Sequence, residues 1–312
     1  MPYGGQFSEF FLFKYGKYGV QLFFLLSGFV IYMTLERSRS IPSFLYKRWL
    51  RLFPAMLVCS LIIFFTVPFL TARPAGIPVW TDLLPGLLLM EPHYLSVITG
   101  LSFNPLEGAF WSIYVEVKFY LFAAVVYFFV SKSLLPWYIV AAYLFWWMVV
   151  KAPVISEISF LEPLRWRLHF TSLEYFGWFA CGCFCYQYIN DKGFDKIFYA
   201  LLIGLVCICV ESKGDSMVFF ALAAVLSLFL LSLKWSALQR TLSSRILLLI
   251  GFISYPFYLL HENMMVSIIR QLSSLWSFFP SYFYILVSFL SVAAISYIVA
   301  RHLESNLRRL FS

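Results

Sequence analysis

Long apolar runs separated by short polar joints fill the chain from Tyr18 almost to its end. Runs near 18–35, 52–70, 110–130, 134–150, 171–189, 197–210, 217–233, 247–269 and 281–300 each read as a membrane-crossing helix. About 20 apolar residues rising 1.5 Å each cover a hydrocarbon core of ~30 Å. The pattern predicts an all-α fold: a polytopic integral membrane bundle of about nine transmembrane helices, in one domain over residues 1–312. A membrane β-barrel would need segments of about 10 residues alternating apolar and polar, and runs such as Phe219–Leu233 do not alternate. Leu83–Met90 is apolar too, but it is short and carries Pro85 and Gly86, so it reads as re-entrant or interfacial.

Charge sets the orientation of these runs. The joint at 36–51 holds Arg37, Arg39, Lys47, Arg48 and Arg51, the joint at 234–246 holds Lys234, Arg240 and Arg245, and the tail holds Arg301, Arg308 and Arg309. Nine spans place all three on one side, the cytoplasmic side by the positive-inside rule, with the amino terminus outside and the carboxy terminus in the cytoplasm. A tenth span at Leu83–Met90 would put the first cluster opposite the other two. The outer joints, 71–109 and 151–170, collect Asp82, Glu91, His93, Glu107, Glu162 and His169. The first run is followed by Arg37 and Arg39 with no small-residue cleavage site, which fits a retained span.

Composition excludes a soluble protein: 62% of the 312 residues are hydrophobic, 12% are charged, and the mean hydropathy is +0.84. The net charge of +8 does not point to nucleic acid, because the basic residues flank apolar runs, where membrane lipids are the natural partner. All six cysteines fall inside apolar runs. In CGCFC, Cys181 and Cys183 lie about 200° apart on a helix, so the stretch reads as small-residue packing and no metal site is expected.

Four features carry candidate chemistry. In FWSIYVEVKFYL (110–121), helical spacing puts Ser112, Glu116 and Tyr120 on one face and Lys118 about 200° from Glu116, out of reach as its partner. A charged group near mid-helix costs about 2.5–3.5 kcal/mol on insertion scales, so Glu116 marks either a functional interior or a structural hydrogen-bonded carboxylate. Arg48 and Arg51 are three apart, hence on one helical face, and suit either phosphate oxygens or lipid-headgroup snorkelling. Ser27 and Gly28 interrupt the first run, for close packing or for a hydroxyl contact to a ligand. His261 sits deep in a run five residues after Pro256, which loosens the backbone bonding beside it.

Five patches resemble the acyltransferase-3 family of bacterial membrane O-acyltransferases, which modify O-antigen, exopolysaccharide, peptidoglycan and nodulation factors. They are GVQLFFLLSGFVIY (19–32), YKRWLRLFPA (46–55), FWSIYVEVKFYL (110–121), ISYPFYLLHE (253–262) and YIVARHLES (297–305), where Glu304 matches a family glutamate. The resemblance implies transfer of an acyl group, acetyl as the expected one, from acyl-CoA to a hydroxyl of a cell-surface or secreted carbohydrate at the bacterial inner membrane. Glu116 would face the cavity and orient a base or receive a proton, and Arg48 and Arg51 would hold CoA phosphates. Ser27, Ser112 and Tyr120 would line the cavity, with His261 the first candidate for a base.

The family pattern begins with a further helix carrying Arg or Lys and, eleven positions later, a central His. None of His93, His169, His261 and His302 has a basic residue eleven positions before it, and residues 1–17 read as too short and too polar to span. One more helix would bring both ends into the cytoplasm, the family's arrangement. The expectation is therefore that this sequence binds acyl-CoA but does not by itself catalyse transfer, and that a partner helix or a second copy fills the gap. Two rival readings remain at this stage. One is a non-catalytic remnant or partner subunit, and the other is a transporter or flippase of lipid-linked glycan, which predicts inverted repeats that the sequence does not display.

Overall fold

The computed structural model describes residues 10–152, 155 and 158–311, among which there is no β-strand. Among the described residues the apolar runs lie on these helices, with shorter helices between them: α1 Gly19–Glu36, α2 Ile41–Thr66, α3 Trp111–Val125, α4 Leu135–Val150, α5 Phe176–Asp191, α6 Phe194–Ser212, α7 Ser216–Ser232, α8 Arg245–Leu275 and α9 Ser281–Ile298. Among the described residues, five helical stretches are long and apolar enough to cross a membrane: Phe13–Glu36, Ile41–Phe69, Gly108–Val130, Arg245–Leu275 and Ser281–Phe311. A sixth joins them if Ser216–Ser232 and Ser236–Leu242, bent by 102°, form one span. Helices of this length and apolarity make the protein an integral membrane protein.

Of the boundaries that differ from those read off the sequence, two move basic residues onto helices. Residues 13–18 continue the first helix backwards as a helical turn and a 3-10 turn, so Lys14 and Lys17 stand on helical turns, while residues 1–9 of the stretch read as too short and too polar to span lie outside the described residues. α2 starts at Ile41, which reduces the joint at 36–51 to Arg37–Ser40. Pro42 stands in the first turn of α2, where the missing N–H costs nothing, so the basic stretch meets no helix breaker. Arg48 and Arg51 consequently stand on α2 itself. Leu83–Met90 forms only a five-residue helix, Leu83–Leu87, within the 71–109 connection.

The chain groups into two compact units, and their boundaries cut α2 and α3. The first contains the described residues up to Leu45 together with Val115–Thr241. Glycine decides how closely its helices approach. A Cβ on Gly28 of α1 would lie 2.1 Å from the Phe179 carbonyl oxygen of α5, and a Cβ on Gly182 of α5 would lie 2.1 Å from the Leu25 carbonyl oxygen of α1. Only two residues without side chains allow this contact. Cys183 Sγ then donates to the Gly28 carbonyl at 3.3 Å, and Cys181 Sγ to the Ala200 carbonyl at 3.2 Å, so the CGCFC stretch serves packing. Around it, Phe119 and Phe179 stack at 4.0 Å, with Phe24 against Phe179 at 4.9 Å.

The second unit contains Tyr46–Tyr114 and the described residues from Leu242 onward. Its long connection is folded around buried charges. Asp82 accepts from the amides of Val79 at 3.0 Å and Asn104 at 3.3 Å. Arg73 donates to the Gly76 carbonyl at 2.7 Å and to the Leu106 carbonyl, and pairs with Glu107 at 3.1 Å. Apart from Arg73 Nε, which is buried without a hydrogen-bond partner, these contacts give the loop one conformation, since leaving such groups unpaired is costly.

Candidate active site

Glu116 is 2% exposed, and its Oε1 accepts a hydrogen bond of 2.9 Å from Ser27 Oγ, itself 6% exposed. Ser27 owes its position to the residue after it, because Gly28 brings α1 against α5 and seats the hydroxyl in the same unit as the carboxylate. Tyr120, one further turn along the Glu116 face, is buried with its ring edge-on to Phe44 at 6.1 Å. Lys118 turns elsewhere, as its helical position demands. It donates to the Phe170 carbonyl at 2.6 Å and to Ser172 Oγ at 2.9 Å.

In the second unit, one turn of α8 grips the residues that open α3. Tyr258 Oη donates to the Ala109 carbonyl at 2.5 Å and shares a hydrogen bond of 2.8 Å with buried Ser112. Glu262 accepts from the Ala109 amide, and its carboxylate would crowd any side chain at position 108, since a Cβ there would lie 2.6 Å from Oε1. A carboxylate at a helix N-terminus satisfies an orphan amide and complements the helix dipole. Asn263 donates through its backbone amide, at 3.2 Å, and through Nδ2 to Glu107 Oε2. Burial pushes the Glu107 carboxyl above its ordinary range, against the opposing pull of Asn263 and Arg73.

His261 lies beside these residues but is only half-buried. Its Nδ1 is bonded to the Tyr258 carbonyl of its own helix at 2.8 Å, and its ring stacks on Phe257. Arg48 is buried and Arg51 exposed. Tyr46, Trp49 and Phe53 occupy the opposite face of α2 by helical spacing, with Trp49 and Phe53 stacked at 4.5 Å. The structure thus joins Ser27 to Glu116 in one unit. It places Ser112, His261, Arg48 and Arg51 in the other.

Residues 2–301 match the family described as "Acyltransferase domain". The chain belongs to the acyltransferase-3 family. Among curated relatives it is 33% identical over 123 residues to "Nodulation protein 10" of Rhizobium leguminosarum bv. viciae, covering 33% of this chain and 31% of the relative. It is 34% identical over 108 residues to "Acyltransferase MdmB" of Streptomyces mycarofaciens, covering 34% of this chain and 27% of the relative. The matched segments therefore span about a third or less of either relative's length. No solved structure matches the chain.

Sequence reasoning missed several buried and half-buried polar groups in this acyltransferase-3 chain. Tyr258 and Glu262, not His261, carry the side-chain contacts of ISYPFYLLHE to the start of α3. The signal was spacing: 258 and 262 are four apart, one turn on the same face. Arg73, Glu107 and Asn263 gave no such signal. Nor did the cluster in which Glu211 accepts from Gln21 Nε2 and, at 3.0 Å, from Trp178 Nε1.

Proposed function

We propose that this chain is a membrane-bound O-acyltransferase moving an acyl group, acetyl first, from acyl-CoA to a carbohydrate hydroxyl. We place it in the bacterial inner membrane with its carboxy terminus in the cytoplasm. Family membership supports the reaction class. The observation that carries the site is the buried Ser27–Glu116 hydrogen bond, which joins two patches lying far apart in sequence around an ionisable group.

The reaction makes three demands. The hydroxyl must lose its proton, its oxygen must attack the thioester carbonyl, and the oxyanion must be stabilised until the C–S bond breaks and CoA leaves as the thiol. Glu116, oriented by Ser27, orients a base or receives the hydroxyl proton. Arg48 and Arg51 hold CoA phosphates, for which paired guanidinium forks are suited. By helical spacing Ser112 and Tyr120 share the Glu116 face of α3 as candidate lining residues, and His261 is the candidate base within α8.

The test first measures transfer from radiolabelled acetyl-CoA to membrane glycan by the wild-type chain, which the missing-helix expectation denies it alone. In the active form, with a partner helix supplied where transfer requires one, it then compares wild type with Glu116→Gln and with the Arg48→Ala, Arg51→Ala double variant, with CoA binding followed by calorimetry. The proposal expects Glu116→Gln to abolish transfer and the double variant to weaken CoA more than tenfold, since each contact is charge-assisted. Unchanged CoA affinity in the double variant would remove the donor-site assignment, and full transfer by Glu116→Gln would make that residue structural.

A further inference from the structure

The turn of α8 that precedes His261 is tied down at several points. Tyr258, three residues earlier, gives its single hydroxyl proton to the Ala109 carbonyl at 2.5 Å, so in its 2.8 Å contact with Ser112 the serine is the donor. The Tyr258 ring lies against the imidazole at 5.6 Å. On the imidazole Phe257 stacks at 6.0 Å, itself packed on Phe289 of α9 at 5.3 Å. The backbone carbonyl of Tyr258 then meets His261 Nδ1 at 2.8 Å. A carbonyl oxygen only accepts, and it has a second lone pair beyond the one used in the helix, so this contact requires the imidazole proton on Nδ1. Nε2 bonds no group among the described residues, and on this half-buried side chain it keeps accessible surface.

We propose that Tyr258 is the positioning residue of His261, locking the imidazole proton on Nδ1 so that the Nε2 lone pair takes the proton of the acceptor hydroxyl. This rests on the reading of His261 as the base. A free histidine side chain prefers its proton on Nε2, the tautomer that would leave a donor where the reaction needs an acceptor. In the transfer, the hydroxyl O–H bond breaks as its proton passes to Nε2, and the oxygen's electron pair attacks the thioester carbon. When the C–S bond breaks, Nε2 returns the proton to the sulfur, CoA leaves as the thiol, and the imidazole is neutral again. The Tyr258 carbonyl stays bonded to Nδ1–H throughout and stabilises the imidazolium while it lasts.

The experiment is long-range proton–nitrogen NMR of the detergent-purified full chain carrying isotope-labelled histidine, at about pH 8.5, above the range in which ordinary histidines titrate. His261→Asn assigns the signal. His261 should show the Nδ1–H pattern alone. Tyr258→Phe keeps the carbonyl but releases the turn from Ala109 and Ser112, and should add the Nε2–H pattern. A dominant Nε2–H tautomer in the wild type overturns the proposal, as does a Tyr258→Phe spectrum identical to that of the wild type. Diethyl pyrocarbonate modifies only an unprotonated ring nitrogen within its reach, so it should carbethoxylate His261, and an unmodified His261 also overturns the proposal. In the active form, Tyr258→Phe should lower kcat about tenfold and leave KM for acetyl-CoA unchanged, since it touches the base and not the donor's phosphates. His261→Asn, whose amide can still donate to the Tyr258 carbonyl, should lose roughly 100-fold or more in transfer. Full transfer by His261→Asn sinks the base reading and this proposal together, whereas a wrong tautomer leaves acyl transfer by another base standing. Should Tyr258→Phe not fold, the wild-type tautomer decides.

Discussion

Replacing Gly28 by Ala tests whether the site depends on the close contact of α1 and α5. The new methyl would start 2.1 Å from the Phe179 carbonyl oxygen. A carbon and a carbonyl oxygen need about 3.3 Å, so the helices must part by about 1.2 Å or the backbone must bend. The obstacle is backbone, with no flexible tip to swing away, so the cost should reach the upper end of the overpacking range, about 2–3 kcal/mol. At about 2 °C per kcal/mol for a long chain, melting should fall by roughly 4–6 °C. The assay is heating with a fluorogenic maleimide, since Cys183 sits at this interface with its Sγ 3.3 Å from the Gly28 carbonyl. Gly251→Ala is the control, because nothing lies within 4 Å of its added methyl and α8 should gain slightly in helix propensity. Because Ser27 adjoins Gly28, transfer should fall with the melting temperature in Gly28→Ala. Equal melting of Gly28→Ala and Gly251→Ala would refute the packing argument.

Three further outcomes follow from the same structure. Ser27→Ala should lower transfer about tenfold or more, since a hydrogen bond to a charged group is worth about 1.5–3 kcal/mol, and should add nothing in a Glu116→Gln background; independent effects in a kinetic double-mutant cycle would show that the bond is incidental. Lys118→Met should not be silent, although it faces away from Glu116. It removes the Lys118 bonds to the Phe170 carbonyl and Ser172 Oγ and should destabilise the chain by about 1–2 kcal/mol in a melting assay, with transfer below the melting range nearly unchanged. The Glu107 carboxyl is raised above its ordinary value of 4.5 in the folded chain, chiefly by burial. The folded state therefore holds the proton more tightly than the unfolded one. The stability this proton confers is complete below the ordinary value and is lost as pH rises through the folded one. Glu107→Gln should abolish that pH dependence, and parallel melting curves for the two proteins from pH 4 upward would contradict the assignment.

The sequence by itself determined the helical class and the faces. Among the described residues the apolar runs all fall on helices, because each helix follows from a local apolar pattern and closes its own backbone hydrogen bonds, while five of the helical stretches, or six with the bent pair, have the length and apolarity to cross a membrane. A periodicity of 3.6 residues was enough to turn Ser112, Glu116 and Tyr120 inward together and to separate Lys118 from Glu116. Some boundaries needed more than hydropathy: α2 starts at Ile41 because a basic stretch without a helix breaker continues a helix even where it lacks apolarity. Partners lay beyond local pattern altogether. Ser27 meets Glu116 across 89 positions, and Glu262 meets Ala109 across 153. Periodicity states which way a side chain points, but what stands opposite depends on which helices pack and how closely. Here that closeness was decided by two glycines, Gly28 and Gly182, each admitting a carbonyl oxygen where a methyl group would not fit.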